Sequence, residues 1–280
     1  MKILLTGHEG FIGKRLLEKL RALDYTVDTV EKHLFDNGLC NKLLDRMVER
    51  ADIIFHVGAI SDTSLQDMAK MMRYNYSASK ELFDLAQTHN KKVIYSSSAA
   101  CGWGNNAPSN VYGWSKLLAE EYGMAKCDNF VSLRYFNVYG PGEGRKGRMA
   151  SVAYQAWERS RNCRVPTIHA YEGSFRLFPT QPQRDFIYID DVIEANLHSV
   201  AAEKGVYEVG YGEARTFESL LDGMGLEYKH HRSDRIPPWY QHYTCADKDK
   251  RLLGWTPEFD VESGTKKYRD HLALASVAQR

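Results

Sequence analysis

Short apolar runs alternate with helix-period segments through the first half of the 280-residue chain. Lys2 to Thr6 is apolar and ends at a glycine, after which Ile12, Leu16, Leu17, Leu20 and Leu23 recur at the spacing of one helix face. Thr26 to Glu31 predicts a second strand and Ala51 to Ala59 a buried parallel one. Asn75 to Asn90 predicts a helix with Leu82, Phe83 and Ala86 inward, and Lys92 to Ser98 another strand. A helix through Tyr112 and a strand from Phe130 to Tyr139 continue the series. This alternation is that of an α/β fold with a doubly wound parallel sheet. The last third differs in texture. Arg164 to Gly173, Gln183 to Ile189 and Gly205 to Gly210 predict short strands and Asp190 to Glu203 a helix, punctuated by Pro179, Pro182, Pro237 and Pro238. Residues 1–163 are expected to form the larger domain and 164–280 a smaller α/β lobe, with some exchange of segments between them.

Candidate chemistry sits where these strands end. Gly7-His8-Glu9-Gly10-Phe11-Ile12-Gly13 lies between the first strand and the first helix. In that context Gly7 allows a sharp turn, Gly10 lets the backbone approach a pyrophosphate and Gly13 permits close helix–strand packing, so the larger domain reads as a Rossmann-like NAD(P)-binding one. Glu31 closes the second strand and can accept from ribose hydroxyls, which favours NAD. Lys32 follows it and can meet a 2′-phosphate, which favours NADP; the two readings stand together. Val57, Gly58 and Ala59 are small enough for a cofactor to lie against, and Ser96-Ser97-Ser98 ends a strand on the side where such sheets bind ligands.

Tyr112 and Lys116 are four residues apart, so a helix places both on one face. An ammonium beside a phenol favours the phenolate, and the pair predicts a tyrosine that loses its proton well below its usual pKa of about 10 and acts as a general base. Such pairs also arise by chance on solvated helices; here the glycine turn and the serine run supply the context. Gly140 to Arg148, rich in glycine and basic residues directly past a strand end, predicts a loop suited to an anionic substrate.

A formal charge of +1 argues against a nucleic-acid or membrane-surface protein built on net charge. No apolar stretch approaches the roughly 20 residues of a spanning helix. Cys40, Cys101, Cys127, Cys163 and Cys245 are scattered without Cys-x-x-Cys spacing, and the adjacent pair His230-His231 reads as surface, so neither a disulfide frame nor a metal site is expected. The expectation is a cytoplasmic protein.

Taken together, the chain resembles the extended short-chain dehydrogenase/reductases of the NAD-dependent epimerase/dehydratase family, and within them the ADP-glycero-manno-heptose 6-epimerases. The resemblance is carried by the glycine turn, Ser97-Ser98-Ala99-Ala100, Asn110 to Lys116 and Arg134 to Pro141. It is sharpened by Glu143 to Gly147, Met149 to Ala153, Tyr171 to Ser174 and Arg184-Asp185-Phe186. It implies that Phe11 and Ile12 offer N–H groups to the pyrophosphate and that Ser98 bonds the substrate hydroxyl. It further implies Tyr112 as base and acid, Lys116 as holder of the nicotinamide ribose, and Lys146 as a second acid/base group. Asn137, Tyr171, Glu172, Gly173, Ser174, Arg184 and Tyr240 match substrate-contacting positions, and Arg148, standing where those epimerases carry serine, can meet a phosphate or carboxylate.

The implied reaction on a nucleotide-sugar is redox-neutral: hydride leaves a carbinol, the carbonyl intermediate turns over, and hydride returns to its other face. No acidic residue follows Ser98 directly, which speaks against the related dehydratases. A 4-epimerase, a nucleotide-sugar reductase and a non-catalytic dinucleotide-binding protein are the competing readings, and family analogy implies a homo-oligomer.

Overall fold

The computed structural model describes residues 1–30, 32–35, 42–102, 107–162, 167–168, 182–228 and 242–278. The chain divides into two compact units, Met1–Tyr135 with Val192–Val209 and Asp249–Trp255, and Phe136–Asp191 with Gly210–Lys248 and Thr256–Arg280.

In the first unit β1 (Lys2–Thr6), β2 (Thr26–Val30), β3 (Ile53–His56), β4 (Lys92–Ser98), β5 (Phe130–Tyr135) and β9 (Gly205–Val209) form one sheet in the order β2-β1-β3-β4-β5-β9. Every pairing in it is parallel. Helices α1 (Phe11–Ala22), α2 (Lys42–Arg50), α3 (Met68–Met72), α4 (Ala78–Thr88) and α5 (Val111–Lys126) pack on it, the doubly wound arrangement that the strand–helix alternation predicts. Strands buried on both faces read as continuous apolar runs, and Ile3, Leu4, Leu5, Ile54 and Phe55 are indeed solvent-free. Leu82, Phe83 and Ala86 of α4 close the core as expected, with the Phe83 ring 5.5 Å from Tyr95 and 5.1 Å from Phe130.

Several element boundaries differ from the sequence expectation, each for a physical reason. Leu23 is exposed because α1 ends at Ala22 and the next residue turns out in the cap. The third strand is Ile53–His56 alone, and Val57, Gly58 and Ala59 lie past its end. The helix expected from Asn75 begins earlier, at Met68 behind the Asp67 cap, and passes through one π turn, Arg73–Ser77, before α4. Phe130 to Tyr139 is two strands. The ladders of β4, β5 and β9 end together at Ser98, Tyr135 and Val209, so the chain finds no further partner there and breaks at Phe136.

In the second unit β6 (Asn137–Tyr139), β8 (Gln183–Tyr188) and β10 (Ala214–Thr216) form a small mixed sheet, while β7 (Thr167–Ile168) pairs with β11 (Glu227–Tyr228). Helices α6 (Val152–Asn162), α7 (Ile189–His198, which begins in this unit), α8 (Phe217–Gly223) and α9 (Val261–Ala278) complete the chain. Tyr139, Tyr188 and Tyr268 are buried, and the first two rings meet edge to face at 5.5 Å. Asp185, also solvent-free, is satisfied by three backbone donors, Tyr211 N and Gly212 N at 2.7 Å and Ala246 N at 2.9 Å. Within Gly140 to Arg148, expected as a loop, Glu143–Met149 forms short helical turns broken at Gly147, whose φ is 54°.

Candidate active site

The sheet order reverses between β1 and β3, and at such a switch point the carboxyl ends of the strands leave a crevice. Gly7 leaves β1 with φ 71°, and a Cβ there would stand 2.5 Å from Gly58 N and Cα; a Cβ on Gly13 would stand 2.0 Å from Gly7 O. Gly10 N donates to Gly7 O at 3.0 Å and opens α1 with no side-chain cap. A helix start of this kind presents backbone N–H groups and the positive dipole end to an anion. The side-chain-free cradle at Gly7, Gly10, Gly13 and Gly58, with Phe11 and Ile12 in the first helical turn, thus fits the pyrophosphate of a dinucleotide. Glu31 lies outside the described residues. Lys32 is exposed, its ammonium 4.1 Å from the centroid of the Tyr74 ring. Val57 and Ala59 flank Gly58 just past β3.

Two strands away, Ser98 ends β4 and its hydroxyl accepts from Ala100 N at 3.1 Å. Asn110 caps α5, accepting from Gly113 N at 2.8 Å, and Gly113 lets the helix sit against Ala100 O, where a Cβ would come within 2.2 Å. Tyr112 and Lys116 then occupy successive turns of α5, with the Ser98 side chain near enough to the Tyr112 phenol to favour its ionised form. The direction of the tyrosine shift is opposite to the one that the Tyr-x-x-x-Lys pair predicts. Burial pushes the Tyr112 phenol up to about 12, and the neighbouring Ser98 hydroxyl offsets only part of this while Cys101 adds to it. Burial also draws the Lys116 ammonium down to about 8, against the pull of Cys101 and Glu120. Lys116 is buried, its Nζ 4.4 Å from the Tyr95 ring centroid. Desolvation of each member therefore decides the direction of its shift.

A buried polar chain supports this pair. Gly58 N donates to Thr6 Oγ1 at 2.9 Å, and Thr6 Oγ1 lies 2.8 Å from His56 Nδ1. His56 Nε2 lies 2.8 Å from Ser79 Oγ, whose own proton goes to Asn75 O at 2.7 Å. Ser79 must therefore accept from Nε2–H, which leaves Nδ1 to accept from Thr6 and assigns the neutral Nε2–H tautomer. The Asn75 amide donates to Ser115 Oγ at 3.1 Å, and Ser115 Oγ donates to Tyr112 O at 2.7 Å. On the same helix Glu120, solvent-free, accepts from Ser132 Oγ at 2.6 Å and from the Arg134 guanidinium through Nε and Nη2.

The remaining expected site residues belong to the second unit. Asn137 is exposed on β6, and Arg148 is exposed with its carbonyl accepting from Gln155 Nε2 at 3.2 Å. Arg184 is buried, and its Nη1 donates to Gln183 O at 2.9 Å. Lys146 Nζ stands 4.0 Å from Glu143 Oε2. Tyr171, Glu172, Gly173, Ser174 and Tyr240, with His230-His231, lie outside the described residues. Among the described residues no group of His, Cys, Asp and Glu has the geometry of a metal site, and no helix is long and apolar enough to cross a membrane.

The model of the NAD dependent epimerase/dehydratase family matches residues 3–210. The chain belongs to that family. Its resemblance to ADP-L-glycero-D-manno-heptose-6-epimerase of Alkalilimnicola ehrlichii is 32% identity over 315 aligned positions, covering 98% of each chain. The crystal structure of ADP-L-glycero-D-manno-heptose-6-epimerase from Helicobacter pylori is 30% identical with a TM-score of 0.78, covering 97% of this chain and 96% of that one. UDP-glucose 4-epimerase of Thermotoga maritima, solved with UDP-glucose, shares the fold at a TM-score of 0.80 and 24% identity, covering 99% and 100% of the two chains.

Two structural features near the expected site residues escape a reading of motifs. The chain from Thr6 through His56 to Ser115 joins residues far apart in sequence; its trace there is a threonine and a histidine at the ends of otherwise apolar strands. Glu143 lies inside a motif that draws the eye to the lysine three residues on.

Proposed function

We propose that this protein is a nucleotide-sugar epimerase of the ADP-glycero-manno-heptose 6-epimerase kind, acting by transient oxidation with bound NAD or NADP. The observation that carries the reading is Tyr112, beside Ser98 at the end of β4 and one helical turn from the buried Lys116. The first unit holds the dinucleotide, with Gly7, Gly10, Phe11, Ile12 and Gly13 at its pyrophosphate and Val57, Gly58 and Ala59 beside it. When bound, a nicotinamide would supply a hydride acceptor and donor.

Tyr112 takes the proton of the substrate hydroxyl and gives one back in the reverse step. Ser98 orients that hydroxyl by a hydrogen bond. Lys116 holds a ribose hydroxyl and, as ammonium, steadies the phenolate. Lys146 is the second acid/base group, because after the carbonyl intermediate turns over its oxygen is presented in the other orientation. Asn137, Arg148, Tyr171 to Ser174, Arg184 and Tyr240 bind the sugar nucleotide. Arg148, an added cation where the heptose epimerases carry serine, favours an anionic group on the substrate. Glu31 favours NAD and Lys32 favours NADP. A cytoplasmic homo-oligomer serving lipopolysaccharide sugars completes the reading.

Replacing Tyr112 by Phe tests it directly. Turnover of ADP-heptose, followed by proton NMR, should fall by about two to four orders of magnitude with dinucleotide binding retained. A variant as active as the parent would end the reading. Net consumption of NAD(P)H would instead identify a reductase, and conversion confined to UDP-sugars a 4-epimerase.

A further inference from the structure

Glu143 is solvent-free and sits three residues before Lys146. A carboxylate held away from water is tolerated when its oxygens are satisfied. Here Gly140 N donates to it at 3.2 Å, Ser151 N at 2.5 Å and Ser151 Oγ at 2.7 Å. The chain can fold back to deliver these donors because Gly142 takes a left-handed conformation, φ 96°, between Gly140 and the carboxylate. All three donors are neutral groups that favour the anion without cancelling its charge.

The groups facing Glu143 come from several elements. Lys146 Nζ is 4.0 Å away, within strong Coulombic reach yet too long for a hydrogen bond between the two. Tyr139 of β6 and Tyr268 of α9 are both pushed up in part by Glu143, so both keep their protons. Tyr154 of α6 lies against Gly144 and acts on Tyr268. Among the described residues named here, Lys146 is the cation. Burial draws its ammonium below the ordinary lysine range and Glu143 pulls it back. A carboxylate that neutralises without capturing N–H protons suits an acid that must give a proton to a substrate oxygen.

We infer that Glu143 is a positioning residue for the epimerase reaction: a buried anion, anchored by Gly140 and Ser151, that keeps Lys146 charged without hydrogen-bonding it until a substrate oxygen takes the proton. This rests on the reading of Lys146 as the second acid/base group. The transfer breaks one Nζ–H bond and forms one O–H bond, leaving a neutral amine beside the carboxylate.

The test is Glu143→Gln in the full chain, which keeps an oxygen for the Ser151 donors and removes the charge. Only a neutral amine reacts with acetic anhydride, so mass spectrometry of Lys146 acetylation against pH reads its proton affinity without turnover. The midpoint for Lys146 should fall by about one pH unit or more while that of exposed Lys126 stays fixed. The limb of the kcat profile set by Lys146 should move down with it, and kcat should fall about tenfold with KM held within about twofold. A folded Glu143→Gln with an unmoved Lys146 midpoint overturns the inference. If that variant does not fold, Glu143→Asp, which retracts the charge by one methylene, should give a smaller shift of the same sign, and no shift there overturns it equally. Full activity in Lys146→Met would instead overturn the acid/base reading of Lys146 while leaving the midpoint shift standing.

Discussion

At Tyr112 and Lys116 burial works against both charged forms. A phenol held at about 12 and an ammonium held at about 8 leave Tyr112 protonated and Lys116 mostly charged below pH about 8, and both neutral only between the two values. The ammonium share of Lys116 falls as pH rises through about 8, so turnover that depends on it should fall there too. Glu120, one turn further along α5, is among the groups that lift Lys116. Removing its charge with Glu120→Gln should move this fall to lower pH. A pH profile of kcat/KM on protein whose near-UV circular dichroism matches the parent checks the point, and an unshifted alkaline limb would count against it. The sequence shows the Tyr–Lys spacing but not the degree of enclosure, and enclosure decides the sign of the shift.

The same contrast holds for whole elements. Strands β1 and β4 and helix α1 are legible because their apolar periods repeat within a few residues. The break at Phe136 is not, since it depends on where β4 and β9 end, residues remote in the chain. Nor is the polar chain through His56, whose partners Thr6 and Ser79 stand 50 and 23 positions away. That chain ties the ends of β1 and β3 to α5 and has a measurable signature. The folded His56 titrates at about 3, held down first by burial and then by Lys116, whereas an unfolded histidine titrates near 6.5. Between those values the unfolded chain binds the extra proton, so stability is lost as pH falls, at up to about 1.4 kcal/mol per pH unit. In His56→Gln the loss between pH 6.5 and 4.5 should be smaller than in the parent by about 2 kcal/mol, read from urea unfolding at both values. Equal losses in the two proteins would show that His56 is not the titrating group.

For the molecule as a whole, the proposed dinucleotide site is built into the fold rather than placed upon it, because the turn that would receive the pyrophosphate is also where β1, β3 and α1 touch. Gly7 against Gly58 and Gly13 against Gly7 are contacts between backbones, and a single methyl at Gly13 would meet a carbonyl oxygen at 2.0 Å with no flexible side chain to give way. Gly13→Ala must therefore move the start of α1 relative to β1, while the core beneath it, Ile3, Leu4, Leu5, Leu16 and Leu20, loses no atom. Binding to the native state alone raises stability by about 4 kcal/mol at a thousandfold excess over Kd, and in a chain of this size each kcal/mol is a few degrees of Tm. The parent melted with NAD or NADP should thus gain about 8 °C or more with the cofactor it prefers, which also separates the Glu31 and Lys32 readings. Gly13→Ala should melt cooperatively but gain little from either. A variant that keeps the full gain would place the dinucleotide elsewhere than on this turn, and the chemistry assigned to Tyr112 would lose its partner.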